Sequence, residues 1–92
     1  MTAWRLEYDP EVVRWLRKAD PPTARRIRNT LMAIIGTGNP RLRGKSLAGP
    51  LAGLWRYRIG DYRAICDIYD QRLVGLVIEV GSRSDIYDPI SA

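Results

Sequence analysis

The chain has no histidine and a single cysteine, Cys66. Without histidine it lacks the commonest general base, the Ser-His and Cys-His nucleophile systems and most transition-metal sites. One cysteine excludes an intramolecular disulfide framework and fits a reducing cytoplasm, the expected location. No apolar run is long enough to span a membrane, and the N-terminus carries no signal-peptide pattern, so no membrane partner is expected. Lysine is scarce as well, with two against thirteen arginines. Neither a metal nor any other cofactor is expected.

What is present is the balance of an ordinary globular protein, 46% hydrophobic and 27% charged. Residues 1–92 make one domain, whose core suffices for folding but leaves little to spare. The net charge of +5 rests on arginine, whose planar fork binds phosphate in a bidentate way and stays protonated. Such a balance favours nucleic acid or an acidic protein partner, although it equally fits charges that are merely solvated.

Alternation over residues 2–8 predicts a first strand, with Trp4, Leu6 and Tyr8 on one side. Asp9-Pro10 then opens a helix, aspartate as N-cap and proline in its first turn. Val12, Val13, Leu16 and Ala19 form its apolar stripe, with Trp15 beside it. Asp20-Pro21 repeats the signal for a second helix, in which Ala24, Ile27, Leu31, Ile34 and Ile35 keep helical period and Gly36 closes. Arg25, Arg26 and Arg28 fall mainly on its outer side. Residues 37–50 form a basic loop, and three strands follow at about 53–59, 62–69 and 73–81. The expected fold is α+β, in βααβββ order. Two N-terminal helices cover one face of an antiparallel sheet, and the opposite face stays open and basic.

Parity assigns the residues to those faces. Trp55, Tyr57, Ile59, Tyr62, Ala64, Cys66 and Ile68 point to the helices, with Val74, Leu76, Ile78 and Val80 as the matching set on the last strand. The other face collects Arg56, Arg58, Arg63, Asp67, Glu79 and, just past the last strand, Arg83. Gly60-Asp61 is a two-residue turn signal that sets Arg63 directly opposite Arg58. Like charges so placed destabilise a sheet, so the pair suggests a surface built to hold phosphate. An ion network with Asp67 or Glu79 is the structural alternative. Parity makes the tryptophans and Cys66 core residues. Arg41, Arg43 and Lys45 either touch a nucleic-acid partner or lie on a solvated loop.

The segments Leu47-Ala-Gly-Pro-Leu-Ala-Gly-Leu-Trp-Arg-Tyr-Arg-Ile-Gly-Asp-Tyr-Arg63 and Val80-Gly-Ser-Arg-Ser-Asp-Ile-Tyr87 carry a resemblance that covers essentially the whole domain. In order and spacing the chain resembles the RelE/ParE toxin superfamily of bacterial toxin–antitoxin systems. The resemblance implies two N-terminal helices on an antiparallel sheet and, in the RelE branch, cleavage of messenger RNA in the ribosomal A site. It matches the family's basic strand residues to Arg56, Arg58 and Arg63, and its C-terminal arginine and tyrosine to Arg83 and Tyr87. The best-known branch carries lysines where this chain has Arg56 and Arg58.

Metal-free RNA cleavage uses the substrate's 2′-hydroxyl as nucleophile. On the resemblance, the expected catalytic residues are Arg56, Arg63, Arg83 and Tyr87, with Arg58, Arg43 and Lys45 binding substrate. Arginine is a poor base, since its pKa exceeds about 12. Tyr87 is therefore the candidate base, with Asp61, Asp67, Glu79 and Asp85 as alternatives, or positioning by the ribosome alone. The implied partners are a cognate antitoxin in a hetero-oligomer, the ribosome and messenger RNA. Two other functions stay open: a ParE-like, protein-binding inhibitor of DNA gyrase, and a catalytically inactive co-repressor bound to antitoxin.

Overall fold

Both helices begin where aspartate precedes proline. The computed structural model describes residues 2–82. In it Asp9 caps helix α1 (Pro10–Lys18) by accepting the Glu11 N–H at 2.9 Å. Asp20 caps α2 (Pro21–Gly36), accepting both the Thr23 N–H at 3.1 Å and its hydroxyl at 2.8 Å. Proline in each first turn removes an N–H that would have no helical partner. At the far end of α2 the Thr37 hydroxyl donates to the Ile34 carbonyl at 2.7 Å, so the cap is Thr37 and Gly36 is the last helical residue.

Five strands make one sheet: β1 (Arg5–Tyr8), β2 (Lys45–Ser46), β3 (Leu54–Ile59), β4 (Tyr62–Tyr69) and β5 (Val74–Ser82), in the order β1-β5-β4-β3-β2. Only β1 runs parallel to its neighbour, pairing from Arg5↔Val74 to Tyr8↔Val77. It starts later than alternation predicts, because β5 offers no partner before Val74 and the Trp4 N–H turns back to the Thr2 hydroxyl. The short β2 lies inside the segment read as loop, paired as Lys45↔Arg56 and Ser46↔Trp55.

The core forms between the helices and one sheet face. Val12, Leu16, Ala24, Ile27, Leu31 and Ile34 meet Tyr57, Ile59, Ala64, Cys66, Val77 and Val80. Ile27 and Val77 are fully buried, each stabilising the fold by about 1.5–3 kcal/mol.

The assignment of faces on β5 requires correction. Ile65 pairs with Glu79 but Cys66 pairs with Val77, leaving Ile78 as the extra residue of a bulge. A bulge reverses side-chain parity beyond it. Val77 and Val80 therefore face the helices, while Ile78 joins Ile65 on the opposite face. Gly75 also faces α2, since a Cβ there would lie 3.0 Å from Ile35 Cδ1. Alternation then sends Val74 and Leu76 to the far side.

The second face is open only in part. Leu47 and Ile65 are buried together, with Leu51, Leu54 and Ile78 packed around them. The segment after β2, including a single 3₁₀ turn at Gly49–Leu51, folds over that half of the sheet. Among the described residues the arginine-bearing half carries no such apolar cover.

Candidate functional site

Arg56 and Arg58 alternate with Trp55, Tyr57 and Ile59 along β3, so the strand period sends the two guanidinium groups away from the core. Gly60, at φ +60°, makes the turn into β4, and the register places Arg63 opposite Arg58 as the sequence predicts. Lys45 of β2 pairs with Arg56 from the other side. Arg43 and Gly44 approach along the edge, and the result is a cavity of about 320 Å³. Its walls are Ile34, Arg43, Gly44, Lys45, Arg56, Tyr57, Arg58 and Arg63.

Five cations and no carboxylate line this space among the described residues. Arg63 is the most buried of the five, only 8% exposed, with Nη1 donating to the Tyr62 carbonyl at 3.3 Å. A guanidinium held against the sheet is preorganised: its donors need not reorient when negative charge develops nearby. The chemistry suited to such a pocket is binding an anionic phosphate and stabilising added charge on it.

The expected ion pairs of Arg56, Arg58 and Arg63 with Asp67 or Glu79 are absent among the described residues. Asp67 accepts the Tyr69 hydroxyl at 2.8 Å. Glu79 instead lines a separate depression with Glu11, Val12 and Trp15. Tyr57 does reach the cavity, but its hydroxyl donates to the Pro40 carbonyl and burial pushes its pKa up. It is held neutral and cannot act as a base near neutral pH. Burial likewise pushes the Cys66 thiol up to about 12, consistent with its place in the core.

The loop that bears Arg43 and leads into Lys45 is fixed by contacts no local pattern announces. Trp55 is only half-buried, and its Nε1–H donates to the Arg43 carbonyl at 2.7 Å. The Arg41 guanidinium lies 5.9 Å above the Trp55 ring and grips Asp70 with two hydrogen bonds, at 2.7 and 2.9 Å. Arg41 is thus engaged within the protein. Each partner raises the other's charged character: the Asp70 bond raises the Arg41 pKa, and the Arg41 bond lowers that of Asp70.

A family model described as the ParE toxin of the type II toxin–antitoxin system parDE matches residues 6–87. The chain belongs to the RelE/ParE toxin superfamily. Solved RelE structures agree in fold. The toxin–antitoxin complex RelBE2 of Mycobacterium tuberculosis matches with a TM-score of 0.73 at 26% identity, over 92% of this chain and 97% of that one. The isolated Escherichia coli RelE toxin gives 0.72 at 23% identity, over 95% and 94%. The RelE–RelB complex of Pyrococcus horikoshii OT3 gives 0.68 at 23% identity, over 89% and 97%. No curated protein sequence matches the chain.

Of the site residues expected in this toxin-family domain, the structure gathers Arg56, Arg58, Arg63, Arg43 and Lys45 around one cavity. Arg83, Tyr87 and the alternative base Asp85 lie outside the described residues. Asp61 is exposed on the β3–β4 turn and is not among the residues lining the cavity. Sequence reasoning missed Asp70, Trp55 and Tyr57 as supports of the site. No helix among the described residues is long and apolar enough to cross a membrane.

Proposed function

We propose that this toxin-family domain is a metal-independent endoribonuclease that cleaves messenger RNA in the ribosomal A site and is neutralised by a cognate antitoxin. The observation that carries the reading is the cavity that brings Arg43, Lys45, Arg56 and Arg58 together with the buried Arg63. In the reaction the substrate's 2′-oxygen loses its proton and attacks the adjacent phosphorus. The bond to the 5′-oxygen breaks, and that oxygen leaves with a proton. The products are a 2′,3′-cyclic phosphate and a 5′-hydroxyl.

Arg56, Arg63 and Arg83 stabilise the extra charge on the phosphorane, the task for which fixed guanidinium donors are suited. Arg58 orients the scissile phosphate, and Arg43 and Lys45 hold neighbouring phosphates. Tyr87 takes the 2′ proton, a role in which positive charge at the site would favour its phenolate. Codon placement on the ribosome supplies the attack geometry. Solved relatives of the same fold are complexes of RelE with RelB, which supports an antitoxin partner in a hetero-oligomer here.

The family model's own description, a ParE toxin, favours a second reading: inhibition of DNA gyrase by protein binding, with no nuclease chemistry. Primer-extension mapping on translating ribosomes separates the two, with wild type, Arg63→Ala and Arg83→Ala compared. Cuts in the A-site codon that vanish in both folded variants are expected. Intact messenger with wild type, together with inhibited supercoiling by purified gyrase, would establish the second reading. Inactivity in both assays would leave the co-repressor role.

A further inference from the structure

The cationic pocket is assembled from two unlike parts. Arg56, Arg58 and Arg63 stand on paired strands, whereas Arg43 arrives on the loop that leads into β2. Strands hold their side chains by the ladder itself; a loop needs separate anchors. Three are present between Pro40 and Gly44. The Pro40 carbonyl accepts the Tyr57 hydroxyl, and the Arg43 carbonyl accepts the Trp55 indole N–H. Arg41 is the third, bound through both its terminal nitrogens to Asp70, 29 residues away in the β4–β5 turn.

The fit beside these anchors is tight. Gly44 takes φ +85°, and a Cβ there would fall 2.4 Å from the Arg56 carbonyl oxygen and 2.7 Å from Trp55 Nε1. The loop backbone therefore lies directly against β3, and Lys45 enters its pairing with Arg56 at the next residue.

We infer that Arg41 and Asp70 form a latch that positions Arg43 over the phosphate site, so that an acidic residue outside the pocket promotes binding of a polyanion. The inference rests on the reading of the pocket as an RNA site. Both side chains are substantially exposed, 41% and 59%. An exposed ion pair contributes little to global stability, so the latch acts on the placement of one loop.

The sign of one substitution separates positioning from plain electrostatics. Asp70→Asn removes a negative charge, which by field effects alone tightens binding to RNA. With a positioning latch it weakens binding. The probe is a labelled, 2′-O-methylated single-stranded RNA, which offers phosphates but no nucleophile. Asp61→Asn, an exposed carboxylate with the same charge change, is the control, and Asp70→Glu is the conservative rescue.

Asp70→Asn is expected to bind about fivefold more weakly than wild type, while Asp61→Asn binds as well or better and Asp70→Glu recovers most of the loss. The melting temperature should hardly change. A parallel readout needs no RNA: in a Trp4→Phe/Trp15→Phe background, emission and acrylamide quenching report Trp55 alone, and Asp70→Asn should increase quenching. If Asp70→Asn binds as tightly as Asp61→Asn and leaves Trp55 unchanged, the latch is overturned. If wild type fails to bind the RNA away from the ribosome, primer extension on translating ribosomes decides the nuclease reading, and the quenching result alone decides whether the latch holds the loop.

Discussion

Arg58 and Arg63 face each other across the β3–β4 hairpin, with Arg63 buried and Arg58 exposed. Two guanidinium groups opposed in this way cost the hairpin stability that neutral residues would not, about 0.2–1 kcal/mol. Replacing the exposed member therefore separates folding from function. Arg58→Thr should raise the melting temperature by a few degrees, about what that energy yields in a domain of this size. The same variant should bind RNA more weakly. A thermal melt and a binding titration on one preparation check both signs.

Gly44 and Gly49 both have positive φ, but only Gly44 has neighbours in the way. Gly49→Ala should cost about 1 kcal/mol, the penalty of a left-handed backbone alone. Gly44→Ala adds overlap with backbone and should cost about 3 kcal/mol or more. Urea unfolding of the two variants gives the difference.

Ile65 lies on the sheet face away from the helices and is nevertheless only 3% exposed. Ile65→Ala should destabilise by about 2–4 kcal/mol, in the range of a central core deletion such as Ile27→Ala. A loss below about 1 kcal/mol would mean that the Leu47–Leu51 segment does not cover this face in solution.

Cys66 should ignore thiol reagents at pH 8 until the protein unfolds, because its thiol is buried and its pKa is pushed up to about 12. The linkage has a definite sign. In the unfolded chain the thiol ionises near 8.5, so from there up to about 12 the unfolded state binds fewer protons than the folded one. Stability is fully present below about pH 8.5 and falls as pH rises through that window. Cys66→Ala should flatten the alkaline slope of unfolding free energy against pH.

How much was legible follows from the kind of signal each element carries. Asp-Pro marked both helix starts because cap and proline act within a few residues. The Arg58–Arg63 register followed from a two-residue turn between strands that alternate cleanly. In Val74–Ser82 alternation is weak, with Val77 and Ile78 adjacent and both apolar, so nothing local marked the bulge. The cover over Ile65 and the Arg41–Asp70 contact are tertiary. They join segments that carry no shared pattern, and only the folded sheet brings them into reach.

The placement of β1 beside β5 has a consequence for the order of folding. Arg5 to Tyr8, early in the sequence, pair among the described residues with Val74 to Val77, and the Arg5 N–H is anchored on the Leu73 carbonyl. The helices in turn need the face built from β3, β4 and β5 to bury their apolar stripes. Such distant contacts close slowly, and without β5 the first strand has no neighbour to pair with among the described strands. The edge strand and the helical layer accordingly depend on the same late element, so loss of β5 would undo both sides of the domain at once.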